Sequence, residues 1–394
     1  MNLVVIGCGR YAKATHIPYI KSSKHAKLVG TADPDPYLDI NQFDTPHLSD
    51  VEHLEAFLDD VNADGVIIST PPRKRENVYD AVLNKPLHIH VDKPLLAPNQ
   101  SDTAFIDAYT RYADRLKKHQ FPVSIHSQRR FDPHIIQCKE NIRSLHNQTG
   151  VKPHRIQYDG FDGNFRTNRE WSQSQYHSVN QPLGIITHSY YHYIDTVSFL
   201  LEPLEIRETS TEVNVLTLSD VARQNCLVEN ALLQTTSTES CDGPIELEST
   251  HTFRTQDDHK IRATITISHQ GVTRRSDTVT NQYVDNRYSQ KHLSIHAASL
   301  LSASYESRPK NLSQPQTKVD YLRIDNALDH RTITSQQQRD TKPDEKRRKC
   351  LEAFLKGYTE GTGNPSGINR HELTQKLYLD TVKAVNQANP RFCL

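Results

Sequence analysis

Short apolar runs recur through the first third of the chain, with amphipathic stretches between them. Residues 2–6 (NLVVI) are apolar at nearly every position, as a strand buried on both faces requires. Residues 27–33, 64–70, 87–92 and 122–127 repeat the pattern, and each run stops at a charged residue, a proline or a polar turn. Between them, the periodicity of residues 51–61, 76–83 and 102–118 predicts helices. Strand, helix, strand in this rhythm predicts parallel β-α units. In such sheets ligands lie outside the carboxyl ends of the strands. The turns at Gly7, Asp33, Thr70, Asp92 and Gln128 are therefore expected to converge on one crevice.

The texture changes after residue 130. A helical stretch at 134–145 precedes an apolar run at 155–158, and a second helix is expected over 183–201. Beyond Pro203 the pattern is strand-like. It is clearest at 261–267 (IRATITI), whose strict alternation marks an antiparallel sheet with one wet face. Residues 302–341, rich in Ser, Gln, Asn and charge, are expected to hold a long loop. Helices are expected again at 344–356 and 371–388, separated by Gly357, Gly361, Gly363, Pro365 and Gly367. The expected fold is α/β: a Rossmann-type doubly wound parallel sheet over residues 1–131, then an α+β domain with a mostly antiparallel open sheet over 132–394.

Composition narrows the function classes. The 394 residues suffice for two domains with separate cores. Lys and Arg number 47 and so do Asp and Glu, without a long run of either sign, so neither nucleic acid nor an anionic membrane is implied as a partner. No segment approaches the roughly 20 apolar residues of a membrane span, and no basic region precedes the N-terminal apolar run, so a cytoplasmic location is expected. The six cysteines lack CxxC spacing, which speaks against a disulfide framework or a thiolate zinc site.

The first strand runs into Gly7-Cys8-Gly9-Arg10-Tyr11-Ala12. Glycines there allow a sharp turn and close approach of backbone to ligand, and a helix starting at the turn would offer its N-terminus to a diphosphate. Ala12 is small enough for the third position of the G-x-G-x-x-G/A fingerprint. Asp33 ends the second strand 24 residues after Gly9 (33 − 9), near the roughly 20-residue offset at which an acid meets the adenosine ribose. The plainer alternative is a strand-to-helix turn with no ligand.

Further motifs follow in order: His16-Ile17-Pro18, Ala32-Asp33-Pro34, Ser69-Thr70-Pro71-Pro72, Asp92-Lys93-Pro94, Arg129-Arg130-Phe131-Asp132-Pro133, and Gly184 with His192-Tyr193-Ile194-Asp195. Together they resemble the Gfo/Idh/MocA oxidoreductases, relatives of glucose-fructose oxidoreductase and inositol dehydrogenase. The resemblance covers residues 1 to about 201 by motif. It implies NAD, with NADP less favoured, held by Gly7, Cys8, Gly9, Arg10, Tyr11, Asp33, Ser69, Thr70, Pro71, Asp92, Lys93 and Gln128. It also implies a sugar, cyclitol or similar polyol as substrate, and a homo-oligomer formed through the C-terminal sheet. The sequence departs from the family in three places. His188 stands where the family has a carboxylate, Tyr190 where it has a glycine, and Asp92 where it has a glutamate.

The chemistry itself asks for such groups. Oxidising an alcohol by hydride transfer leaves a proton on oxygen, so a base must take it and a donor must stabilise the developing charge. His192, with His188 one turn earlier, suits the first role, and Lys93 the second. The alternatives are a solvated loop lysine and a helix histidine bonded to core backbone. Arg130, Trp171, His188 and His192 join Lys93 as candidate substrate contacts. Arg129 and Arg130 would serve equally as junction ion pairs, and Trp171, Tyr190 and Tyr191 as core. His188, His192 and Asp195 share a helix face at metal-ligating spacing, but no glutamate adjoins His188 as in the zinc-protease motif, and no metal is expected. His88 and His90 are expected to be packed or hydrogen-bonded. Two other activities fit the same resemblance: nucleotide sensing without turnover, and glycosidic cleavage using a tightly held NAD.

Overall fold

The strand at Asn2–Ile6 (β1) lies at the centre of its sheet, which is why every residue from Leu3 to Ile6 is fully buried. The structure is a computed structural model and describes residues 1–97, 102–162, 186–217, 244–268, 289–309, 317–340, 345–360 and 364–388. Around β1 stand Lys27–Ala32 (β2), His47–Leu48 (β3), Gly65–Ile68 (β4), His88–Asp92 (β5) and Val123–His126 (β6). The order β3-β2-β1-β4-β5-β6 is parallel throughout, the doubly wound arrangement expected from the β-α rhythm. The connecting helices are Ile17–Ser22 (α1), Leu54–Asp60 (α2), Glu76–Val82 (α3) and Asp102–Lys117 (α4).

The chain divides into two compact units. The first is Met1–Asp132 with Pro343–Leu373, and the second is Pro133–Lys342 with Thr374–Leu394. Residues 343–373, grouped on sequence with the second domain, thus belong to the first unit. Within that segment α7 (Glu345–Glu360; α5 and α6 lie in the second unit) packs on β6, because Leu351, Phe354 and Leu355 on one face join the core of Leu3, Val5, Ile20 and Ile67. Three further anchors are polar. Buried Arg130 donates to the carbonyls of Pro365 (3.1 Å) and Arg370 (3.0 Å). Lys346 forms an ion pair with Asp132, both buried. Ile125 N–H bonds the carbonyl of Ser366 at 2.8 Å.

The second unit holds an eight-stranded sheet. Its strands are Arg155–Asp162 (β7), Ile206–Thr217 (β8), Pro244–Thr255 (β9), Lys260–Ser268 (β10), Ser289–Ala297 (β11), Leu301–Pro309 (β12), Thr317–Asn326 (β13) and Arg331–Asp340 (β14). Their order is β14-β13-β12-β11-β7-β10-β9-β8, antiparallel except where β10 meets β7. Helices Pro133–Thr149 (α5) and Tyr191–Leu201 (α6) contact each other and one face of this sheet, and Glu372–Ala388 (α8) completes the described helices. Ile156, Tyr158, Ile261, Ala263, Ile265, Leu293 and Ile295 lie on the buried face.

In place of the expected long loop at 302–341, the described residues there form three strands, the last two joined by a turn at 327–330. The reason lies in the inner face. Leu301, Ala303, Tyr305 and Ser307 alternate inward along β12, but two of these positions are small or polar, so the period of two is faint in the sequence. β14 is almost wholly exposed at the sheet edge, and its Thr and Gln residues show no apolar face at all. Among the described residues, no helix is long and apolar enough to cross a membrane.

Candidate functional site

β1 ends at Gly7, whose N–H bonds the carbonyl of Ala32 at 2.7 Å, while Ser69 N–H bonds that of Ile6 at 2.7 Å. Three strand ends are thereby drawn to one place. Gly7 has φ +92°, and a Cβ there would run into the backbone of Ser69 and Thr70. Gly9 is different: a Cβ would meet nothing within 4 Å, so the turn leaves open space above it. Lys13 N–H returns to the carbonyl of Gly9 at 3.1 Å and opens a π-helical turn, Ala12–His16, ahead of α1. The sharp turn, the exposed Gly9 and Arg10 and the helical start fit a dinucleotide diphosphate. So does the Thr70 hydroxyl, which is buried without a hydrogen-bond partner.

Asp33 Oδ2 accepts from Cys8 N–H at 2.5 Å and Oδ1 accepts from Asp35 N–H at 2.9 Å. The carboxylate therefore braces the glycine turn and keeps lone pairs for a ribose, since an ionised carboxylate has about four acceptor sites. Cys8 takes part through its backbone. Its thiol is buried, and desolvation together with the Asp33 charge pushes it up to about 12.

At the end of β5, Asp92 Oδ1 pairs with His16 Nε2 (2.9 Å) and Oδ2 accepts from Ser69 Oγ (2.6 Å). Burial would raise this carboxyl, but His16 and the hydrogen bonds override it and hold the group far below the usual carboxylate range. Lys93 follows. Desolvation pushes its ammonium down from 10.5 to about 7; Asp92 opposes the shift, and the nearby charges of Arg75 and Arg347 add to it. Arg75, fully buried, donates Nε to the carbonyl of Thr70 (2.9 Å) and Nη1 to the carbonyls of Asp92 and Pro94. It ties the β4 turn to the Lys93 turn. At the end of β6, Gln128 Oε1 accepts from Arg347 Nε at 2.8 Å, and the Arg347 guanidinium lies 5.2 Å from the Tyr11 ring centroid.

The first unit thus brings together Gly7, Cys8, Gly9, Arg10, Tyr11, Asp33, Ser69, Thr70, Pro71, Asp92, Lys93 and Gln128, at the carboxyl ends of β1, β2, β4, β5 and β6. Arg130, expected at substrate or in an ion pair, is 1% exposed and bonds backbone carbonyls of 365 and 370. It serves the packing of the returning segment. His192 lies half-buried on α6 of the second unit, and His188 lies in the π-helical turn Ile186–Tyr190 before it. Asp195 on the same helix is buried and accepts from Thr374 Oγ1 at 3.1 Å, which commits it to structure. Tyr190 is core: its hydroxyl bonds His251 Nε2 at 2.7 Å. Trp171 falls outside the described residues.

Sequence reasoning missed Arg75, Arg347 and a buried imidazole cluster. Arg347 sits in a run of charges that looks like a solvated helix face, and nothing in the run singles it out. The imidazoles are His16, His90 and His126. His90 bonds Ser124 Oγ through Nδ1 (2.6 Å) and His126 Nδ1 through Nε2 (2.9 Å), which makes it hydrogen-bonded as expected for a strand histidine.

Residues 1–118 match the family model described as "Oxidoreductase family, NAD-binding Rossmann fold", GFO_IDH_MocA. A comparison with curated protein sequences finds no match. Among solved structures, the chain is similar to a scyllo-inositol dehydrogenase from Lactobacillus casei with bound NAD(H) and scyllo-inositol (TM-score 0.60, 14% identity, 98% of this chain and 97% of that one). It is also similar to an oxidoreductase from Agrobacterium radiobacter in complex with NAD+, L-tartaric acid and magnesium (TM-score 0.60, 12% identity, 98% and 97%). A third, from Desulfitobacterium hafniense, is assigned as an NADPH-dependent oxidoreductase (TM-score 0.62, 14% identity, 99% and 96%). At these identities the likeness is one of fold.

Proposed function

We propose, from the match of residues 1–118 to the NAD-binding Rossmann model of the Gfo/Idh/MocA oxidoreductases, that the chain is an NAD-dependent dehydrogenase or reductase acting on a CH–OH carbon of a sugar, cyclitol or similar polyol. The observation that carries the proposal is Lys93: an ammonium brought down to about 7 by desolvation, on a turn held by Asp92 and Arg75, at the strand ends where the dinucleotide turn opens. Bound NAD supplies the hydride acceptor. The turn at 7–12 holds the diphosphate, and Asp33 takes the ribose hydroxyls. Lys93 donates to the substrate oxygen and stabilises charge developing there. His192, with His188 one turn before it, takes the hydroxyl proton; this assignment rests on the family resemblance.

Asp33 favours NAD over NADP, since a 2′-phosphate would meet its carboxylate, and Pro34-Asp35-Pro36 offers no arginine to receive one. The polyol class is supported by the inositol-bound and tartrate-bound neighbours. A homo-oligomer through the eight-stranded sheet belongs to the same proposal, and sedimentation velocity would show it as a mass above the 45.0 kDa chain.

Lys93→Met tests the assignment: polyol-dependent reduction of NAD is expected to vanish while the dissociation constant for NAD changes less than threefold. Lost NAD affinity would place Lys93 in the cofactor site, and full activity would remove it from the reaction. Wild-type protein that binds NAD but reduces none against any polyol would point to sensing.

A further inference from the structure

We propose that the first unit binds a zinc ion through His90 Nε2, His126 Nδ1 and Cys350 Sγ, joining β5, β6 and α7 beneath the cofactor crevice. The three side chains are fully buried or nearly so, at 0%, 4% and 0% exposure, and their ligand atoms lie within 4.8 Å of one another. A tetrahedral zinc with Zn–N of about 2.0 Å and Zn–S of about 2.3 Å needs its ligands roughly 3.3–3.6 Å apart. The two nitrogens are 2.9 Å apart, so movements of the order of 1 Å suffice.

The surroundings also suit a metal. Each imidazole has its other ring nitrogen on a hydroxyl: His90 Nδ1 on Ser124 Oγ at 2.6 Å, and His126 Nε2 on the Tyr11 hydroxyl at 2.9 Å. Outer hydrogen bonds of this kind orient metal-ligating histidines and fix their tautomers. The nitrogens left over are the two that face each other and the thiol.

Phe354 lies against His90 with ring centroids 5.0 Å apart; with three protein ligands, a tetrahedral zinc here would take one water as its fourth. Imidazole and thiolate together select zinc over magnesium or calcium. His126 also belongs to a second group with His16 and Asp92, but there Asp92 is already satisfied by His16 and Ser69, which favours the sulfur site.

Zinc here would pin α7, and with it Arg347 and Gln128, to the strands that carry Lys93. Binding would release the Cys350 thiol proton to solvent. The proposal does not depend on the dehydrogenase reading, so the test reads metal, not turnover.

Full-length protein stripped with a chelator is titrated with cobalt(II), which replaces zinc and reports thiolate ligation by a charge-transfer band in the near ultraviolet. The expected result is one cobalt per chain, the band present, and quantitative displacement by one equivalent of zinc. Cys350→Ser should lose the band and bind at least about 10-fold more weakly, because even outer-shell changes cost that much. Should that variant fail to fold, His90→Gln, whose amide can still bond Ser124, is expected to weaken binding by the same factor. No cobalt uptake by wild type, or an unchanged band and affinity in the folded variant, would overturn the site and leave a hydrogen-bonded histidine pair.

Discussion

Two residue types set the behaviour of the candidate site, its lysine and its glycines. Lys93 has its ordinary 10.5 pushed down to about 7, chiefly by burial, so the cationic form that donates to substrate is lost as pH rises through 7. The basic limb of the kcat/KM profile is therefore expected near 7 in wild type. In Lys93→Arg, whose guanidinium stays charged, residual activity should persist to higher pH; a limb unmoved by the substitution would assign it to another group. Stability has its own sign. Between about 7 and 10.5 the unfolded lysine holds a proton that the folded one does not, so this residue makes stability rise with pH across that window. Urea melts of Lys93→Met at pH 7 and 9.5 should show that rise reduced.

The glycines separate structure from binding. At Gly7 the positive φ and the close backbone of Ser69 and Thr70 mean that Gly7→Ala costs about 1–3 kcal/mol or more of stability. At Gly9 the space is open, so Gly9→Ala should stay within about 0.5 kcal/mol of wild type yet weaken NAD, because its methyl fills the place proposed for the diphosphate. Denaturation and NAD titration of the two variants check both halves. Equal loss of stability would contradict the distinction.

At the scale of elements, the returning segment decides the first unit. α7 adds Leu351, Phe354 and Leu355 to a core that already holds β1 and α1, and it delivers Arg347 to Gln128 and Tyr11. Its buried ion pair, Lys346 with Asp132, is the vulnerable joint. Arg129 Nη1, 3.7 Å from Asp132, compensates only in part. Lys346→Ala leaves a buried carboxylate short of its partner and is expected to cost about 3 kcal/mol. Replacing both members, Asp132→Asn with Lys346→Met, should cost less. Guanidinium denaturation of both proteins measures the difference. A single-variant loss under about 1 kcal/mol would mean the apolar face of α7 alone anchors the segment.

For the whole molecule, ligand linkage is the practical readout. A dinucleotide that binds only the native state at 100 times its dissociation constant adds about 2.7 kcal/mol of stability. With Asp33 at the end of β2, NAD is expected to raise the melting temperature well above the rise given by NADP at equal concentration. Comparable shifts would count against the Asp33 assignment.

The parallel sheet and its strand-end turns were legible in the sequence alone. Their signals are local: an unbroken apolar run means burial on both faces, and Gly7, Asp33, Asp92 and Gln128 mark where the runs stop. The tertiary structure decided what depends on residues far apart in the chain. Three strands replaced the expected loop at 302–341, because antiparallel neighbours supply pairing that the sparse apolar positions do not announce. Residues 343–373 joined the first unit through Arg130, Lys346 and Ser366, contacts made across more than 200 positions of sequence. His90, His126 and Cys350 meet for the same reason. Two come from neighbouring strands and one from a helix more than 220 residues later, a juxtaposition that no spacing rule contains.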